Sequence, residues 1–360
     1  MSFSVIARLI SGWGAFVIVQ FLPPGLPVWP LLIAIIAVIV VCAFGVMEQA
    51  EHLARRLGDP YGTLVLTISI VTIEVILISA VMLGPGEHAT IARDSIMAVS
   101  MIILNLVLGA ALLVGGLRHK EMTPNHDGVS AYLAMLMALG TVAFALPAVI
   151  GVDGSYTTVQ AVPVIVLTIG SYVFFLWRQM GAQAADFQEP GVVEEVGNGK
   201  PPVTEVIAEH RAELLSRTGL LLLMAIPIVL LSHTMAELLD VGLTRLGAPV
   251  ALTGIIIAAI VFLPETITTL RASWLGEIQR VSNLTQGALV SSVGLTVPTV
   301  LLIGLLTGQT VVFAESPANL MLLAVTALLS ASVASGTRVG AVHGVAHLMV
   351  FAMYVLSVFV

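Results

Sequence analysis

Charge is scarce in this chain. Asp, Glu, Lys and Arg together make up 10% of its 360 residues, against 58% hydrophobic, whereas a water-soluble domain carries about a quarter charged residues. With a mean hydropathy of +1.06, this composition excludes an ordinary soluble domain and implies an integral membrane protein with many spans. Cysteine is nearly absent as well. The single Cys42 lies in an apolar run, which excludes a disulfide framework and a thiolate zinc site. The zinc-hydrolase pattern His-Glu-x-x-His does not occur, so a zinc-dependent intramembrane hydrolase has no motif to build on. The net charge of −7 says little alone, because the acids are unevenly placed. Residues 9–22 follow Arg8 like a signal-peptide core, but no small-residue cleavage site follows and "FLPPGLPVWP" leads straight into the next apolar run. They read as a retained first span.

What is present is a succession of apolar runs of the length a bilayer demands, about 20 residues for a helix. Eleven are expected, at 8–22, 27–46, 62–83, 93–116, 129–150, 159–178, 216–238, 248–271, 284–307, 318–336 and 341–359. With a cytoplasmic N-terminus, twelve of the fourteen Lys and Arg residues fall on the cytoplasmic side, and only Arg93 and Arg245 fall outside. The positive-inside bias therefore assigns N-in, C-out. It also supports an odd number of spans.

The chain repeats itself. "RRLGDPYGTLVLTISIVTIEV" (55–75) resembles "TRLGAPVALTGIIIAAIVFLPET" (244–266): each opens a span with Arg-Leu-Gly-x-Pro and reaches a glutamate, Glu74 or Glu265, most of the way along it. In the assigned topology the two copies run in opposite directions. The predicted architecture is therefore all-α: an extra N-terminal helix (1–26), a five-helix repeat (27–178), an acidic cytoplasmic loop (179–215) and an inverted five-helix repeat (216–360). Inverted repeats point to a secondary transporter with its site near the bilayer midplane.

Glu74 and Glu265 are the only acids near the middle of predicted spans. An ionised carboxylate there costs about 2.5 kcal/mol or more and commonly marks an ion or proton pathway; the alternative is a protonated carboxyl that only ties helices together. Thr63 and Thr67 share the Glu74 face at 100° per residue, and Thr268 and Thr269 follow Glu265 by one turn. Pro264 removes an N–H and frees a carbonyl one turn earlier, a further oxygen where it lines a cavity. The helix after each glutamate carries a stripe of small and polar residues: Asp94, Ala98, Met101, Asn105 and Gly109 on the fourth span, and Asn283, Gly287, Ser291, Gly294 and Pro298 on the ninth. Small residues serve close helix packing, but a mid-span amide needs a partner. The expected metal-binding set is thus Glu74, Glu265, Asn105, Ser291, Thr67 and Pro264, with Asp94 nearer the mouth. Such a hard-oxygen cage suits Ca²⁺ better than the strict octahedron of Mg²⁺, and the spans lack the Cys and His clusters that softer metals need. His343 with His347, and His233 with Glu237, make incomplete sites and read as packing or interfacial pairs. The seven acids of 179–215 read as a solvated face.

Taken together, "EHLARRLGDPYGTLVLTISIVTIEVILI", "ARDSIMAVSMIILNLVLGAALLVGGLRH", "FLPETITTLRA" and "AVHGVAHLMVF" resemble the bacterial ChaA-type branch of the calcium/cation antiporter superfamily, over about residues 50–360. The resemblance implies two inverted five-helix units after an extra helix, with a cation and protons competing for two repeat-related glutamates that map onto Glu74 and Glu265. Proton-coupled relatives carry Gly-Asn-Ala-x-Glu before each acidic ligand, where this chain reads "IVTIE" and "VFLPE". Members similar to this branch are associated with Ca²⁺/H⁺ and also Na⁺/H⁺ or K⁺/H⁺ exchange.

The reading that follows is an inner-membrane antiporter, not an enzyme, with no cofactor. Its partners are inorganic cations (Ca²⁺ foremost, Na⁺ or K⁺ as the alternative), protons and the lipid bilayer, with no role for nucleic acid. A cation channel is the rival transport class. Channels build a ring of glutamates by oligomeric symmetry, however, whereas this chain builds its pair internally. Oligomeric state is not legible in the sequence.

Overall fold

The computed structural model describes residues 3–23, 25–57, 61–82, 89–190, 203–248, 251–336 and 338–359. Each of the eleven expected spans is a helix: α1 (Phe3–Gln20), α2 (Val28–Leu57), α3 (Tyr61–Met82), α4 (Ile91–His119), α5 (His126–Ile150), α6 (Thr158–Met180), α7 (Arg211–Arg245), α8 in two pieces (Ala251–Val261 and Leu263–Leu275), α9 (Ile278–Thr307), α10 (Pro317–Ser335) and α11 (Ala341–Val358). A short helix (Val203–Glu209), a 3-10 turn (Ala184–Phe187) and isolated β-bridges accompany them among the described residues. Among the described residues, eight of the helices are individually long and apolar enough to cross a membrane. The others are α1, which is short, α3, whose apolar stretch is short within the described residues, and α8, which is interrupted at Phe262.

The chain is an all-α membrane protein, and most of its helix contacts follow one pattern. Exchanging α2 for α7, α3 for α8, α4 for α9, α5 for α10 and α6 for α11 carries most contacts onto one another; the exceptions are α10 with α11 and α5 with α9, whose counterparts are weak. Thus α3 packs on α9 as α8 packs on α4, and α6 packs on α9 as α11 packs on α4, while α2 meets α7 and α5 meets α10. The extra helix α1 lies against α2 and α7, where Arg8 pairs with Glu48. Within α4 and α9 the most apolar stretch is 83% and 67% enclosed by protein, against 22–39% for the other long spans. These two helices form the middle of the molecule, and the rest present faces to lipid.

Both central helices contain a π-helical turn, Ile102–Val107 in α4 and Asn283–Gly287 in α9. A π turn inserts a residue into the i→i−4 ladder, which re-aims the side chains that follow it. Close crossing of α4 and α11 is made by glycines. A Cβ at Gly344 would meet the Leu113 backbone nitrogen and, at 2.5 Å, the Gly109 carbonyl oxygen. The first residues after α6 are pinned to the start of α9: the Glu189 carboxylate accepts the backbone N–H groups of Ile278 (3.0 Å), Gln279 (2.9 Å) and Arg280 (3.4 Å), as an anion at a helix N-terminus should. Residues 191–202, including Glu194 and Glu195 of the expected solvated loop, lie outside the described residues, as do Pro60 and Pro249 of the repeat motif.

Candidate functional site

Glu74 sits past the middle of α3, in a helix otherwise built almost wholly from Ile, Val, Leu and Thr. Because α3 packs on α9, the carboxylate is driven into the protein and is only 4% exposed. One oxygen, Oε1, accepts a hydrogen bond from Ser292 Oγ of α9 at 2.8 Å. The other, Oε2, has no hydrogen-bond partner.

Glu265 reaches the interior by a different local route. Pro264 is the second residue of the second piece of α8, a position where a missing N–H costs nothing within that piece. The same missing N–H leaves the Ile260 carbonyl without its i→i−4 donor and interrupts the helix at Phe262. Glu265 therefore lies in the first turn of a new helical piece, where the N-terminal dipole favours negative charge. It too is 4% exposed, and neither of its oxygens has a hydrogen-bond partner. The two carboxylates lie close enough to act on each other electrostatically. No ion pair to either is found among the described residues.

The break makes the two halves of the site unlike. α3 passes Glu74 without interruption, whereas α8 is jointed beside Glu265. Around the pair are further oxygens without partners: Thr269 Oγ1, one turn beyond Glu265, and Thr296 Oγ1, one turn beyond Ser292. Thr67 is buried two turns before Glu74, and Thr268 Oγ1 donates to Met47 Sδ at 3.1 Å. The side chains of Thr63 and Pro264 lie outside the described residues. Buried polar atoms are nearly always hydrogen-bonded. Five buried oxygens on α3, α8 and α9, three of them on the two carboxylates, are thus left without partners, a deficit that ions or protons can satisfy.

The structure does not bring Asn105 and Ser291 to this pair. Asn105 Nδ2 donates to Thr326 Oγ1 of α10 at 2.9 Å, and its Oδ1 accepts from His347 Nδ1 of α11 at 3.1 Å. Ser291 Oγ donates to the Gly287 carbonyl of its own helix at 2.9 Å. The reason is the phase of the two stripes. Gly109 abuts His347 and Gly344 on α11, while Gly287 and Gly294 abut Tyr132 on α5 and Tyr172 on α6. The small-residue faces of α4 and α9 thus pack on the fifth, sixth, tenth and eleventh helices. Glu74 meets a neighbouring face of α9, the one that carries Ser292. Sequence reasoning selected Ser291 by following one stripe; its neighbour lies 100° away, and only the position of α3 distinguishes the two. His347, read as packing, is buried with its Nδ1 engaged and its Nε2 without a partner.

Comparison with known proteins follows the same lines. A profile described as sodium/calcium exchanger protein matches residues 27–181. The chain is 31% identical over 322 residues to the sodium-potassium/proton antiporter ChaA of Escherichia coli, covering 88% of this chain and 85% of that one. It is 27% identical over 271 residues to the Ca²⁺/H⁺ antiporter of Synechocystis, 71% of each. Its fold is that of the solved H⁺/Ca²⁺ exchanger CAX, with a TM-score of 0.70 over 98% of this chain and 88% of that one, at 16% identity.

Proposed function

This chain belongs to the sodium/calcium exchanger protein family, and from that premise we propose that it exchanges Ca²⁺ for protons at the Glu74–Glu265 pair. It is a cation/proton antiporter of the membrane, and the choice of ion rests on charge. Two ionised carboxylates enclosed between helices carry −2, which is costly if left bare. One divalent cation cancels that charge, and so do two protons. Each occupied form can be carried across the membrane where the bare form cannot, and this links the two flows.

The observation that carries the reading is that three of the four carboxylate oxygens are buried and unpartnered. Ser292 holds the fourth and so fixes how Glu74 is presented. Thr67 and the Ile260 carbonyl released by Pro264 are the further oxygens the proposal assigns to the cation. Asn105 and Ser291 serve instead to set the helices around it. The joint at Phe262 is where α8 bends between inward- and outward-facing forms. The monovalent reading is kept by one finding, the relative named as a sodium-potassium/proton antiporter. Two Na⁺ or K⁺ ions would cancel the same charge.

In the proposed orientation the N-terminus and residues 179–215 face the cytoplasm of a bacterial inner membrane and the C-terminus faces out, as the Lys and Arg distribution indicates.

Purified protein in liposomes, given Ca²⁺, Na⁺, K⁺ or Mg²⁺ separately, tests the proposal by proton counterflow. Ca²⁺ should drive it, and Glu74→Gln and Glu265→Gln should each abolish it while the protein remains folded. Counterflow driven by Na⁺ or K⁺ but not by Ca²⁺ would select the monovalent reading. Normal exchange in either variant would remove that glutamate from the mechanism.

A further inference from the structure

A second set of oxygens converges on a positive charge at the membrane face where α4 and α10 begin, the exterior in the orientation proposed above. Arg93, in the first turn of α4, directs Nε and a terminal nitrogen at Asp94 Oδ1, both at 2.8 Å. Its other terminal nitrogen donates to the Ala314 carbonyl at 3.0 Å. Glu315 Oε1 lies 3.9 Å from Arg93 Nε, beyond hydrogen-bond range, and has no hydrogen-bond partner at all.

Glu315 is not a surface acid. Its side chain is 3% exposed, held by the Ser316 N–H (2.9 Å) and Asn319 Nδ2 (2.8 Å) on Oε2. Its backbone N–H donates to the Phe144 carbonyl of α5 at 3.1 Å. Those bonds account for one oxygen and leave the other aimed at the guanidinium without reaching it. Asp94 takes a second bond on Oδ2 from Thr90 Oγ1 at 2.9 Å and is 44% exposed, so an ion in solution can reach the cluster through it. Tyr354 of α11 is buried within electrostatic reach of both acids.

Two carboxylates and a carbonyl directed at one point are hard-oxygen ligands of the kind that hold Ca²⁺-like ions. With all groups ionised the cluster has two negative charges against the single charge of Arg93. The guanidinium satisfies Asp94 and Ala314 but not Glu315, whose buried oxygen is left at a cost. A compact divalent ion has no such geometric limit. We propose that Asp94, Glu315 and the Ala314 carbonyl form a second, surface-accessible site for a divalent hard cation, in which Arg93 is the resident counter-charge that the arriving ion displaces. The site stands at the head of α4, the helix that packs on both pieces of α8. It would therefore gather cations beside the pathway to Glu265.

A plain structural ion pair predicts no saturable cation binding at this cluster in the presence of Arg93, whereas a cation site predicts binding that depends on Asp94 and Glu315. The experiment titrates Tb³⁺, a hard-oxygen probe for Ca²⁺ sites, into detergent-solubilised Glu74→Gln/Glu265→Gln protein. That background removes the central pair, so failure here is separate from failure of the proposed function. Emission is read under aromatic excitation. Saturable Tb³⁺ emission that Ca²⁺ competes away is expected, weakened roughly 10-fold or more by Asp94→Asn and by Glu315→Gln. Arg93→Gln should tighten it, and Tyr354→Phe should dim the emission without changing its midpoint. Asp94, being half-exposed, tolerates substitution even if the Glu315 variant folds poorly. Midpoints unmoved by Asp94→Asn, or weaker binding in Arg93→Gln, would overturn the site and leave a structural ion pair.

Discussion

Ser292→Ala is the substitution that most sharply separates the proposed site from its sequence-based outline. In the cation-loaded form proposed above Glu74 is ionised, and each of its oxygens has lone pairs enough to bind the ion and accept from Ser292 together. A hydrogen bond to a charged acceptor contributes about 1.5–3 kcal/mol, and one to a neutral carboxyl about 0.5–1.5 kcal/mol. Removing the hydroxyl therefore weakens the loaded form relative to the protonated form by about 1–1.5 kcal/mol. At 1.4 kcal/mol per factor of ten this is a roughly 5- to 10-fold loss of apparent cation affinity in competition with protons. Full burial of Glu74 means no screening by solvent reduces the figure. The assay is Ca²⁺-dependent proton counterflow in liposomes, with the half-saturating Ca²⁺ concentration measured at fixed pH. Ser291→Ala is the control, because its hydroxyl donates to the Gly287 carbonyl of its own helix and not to Glu74, and it should stay within about two-fold of wild type. An unchanged midpoint in Ser292→Ala, or an equal shift in Ser291→Ala, would refute the assignment of the serine that serves Glu74.

Three further expectations address the frame. Gly344→Ala places a methyl against the backbone of α4 at Leu113 and Gly109; neither obstacle can rotate away, so about 1–3 kcal/mol of stability should be lost, read as a lower unfolding temperature. Burial pushes the Glu189 carboxyl above its ordinary 4.5, although the N–H groups of Gln279, Arg280 and Ile278 pull it down. A raised carboxyl contributes stability that is present below about 4.5 and is lost as pH climbs through the raised value. The unfolding temperature of wild type should accordingly fall relative to Glu189→Gln as pH rises from that point; a difference constant with pH would reject it. In topology, a cysteine placed at residue 190 should be labelled only from the cytoplasmic side and one at residue 360 only from outside, and the reverse pattern would overturn the orientation.

Much of the fold was legible because the bilayer restricts the choices. With little charge and apolar runs of spanning length, a helix is the form that satisfies every backbone group within its own run. The eleven runs accordingly appear as eleven helices, although several reach beyond their apolar run, α2 by eleven residues to Leu57 and α7 by five and seven residues at its ends. The glutamates were legible for the same reason, since an ionisable group deep in an apolar run has no inexpensive structural use. The joint in α8 could be read from Pro264, whose effect on the i→i−4 ladder is local and needs no neighbour.

Facing was a different matter. Helical periodicity orders the residues around each axis but does not say which neighbour stands on which side. The stripes through Asn105 and Ser291 are real faces of α4 and α9. They meet α10, α11, α5 and α6, while α3 brings Glu74 to Ser292, one residue along. Likewise, Arg93 and Asp94 are adjacent in sequence, but Glu315 joins them from more than two hundred residues away. Sequence by itself determined what had to be buried and roughly at what depth, because those follow from the cost of exposing or hiding each group along one helix. Which buried groups share a site was decided only by tertiary structure, because a turn of 100° about a helix axis costs the isolated helix nothing and is settled by the neighbours against which it packs.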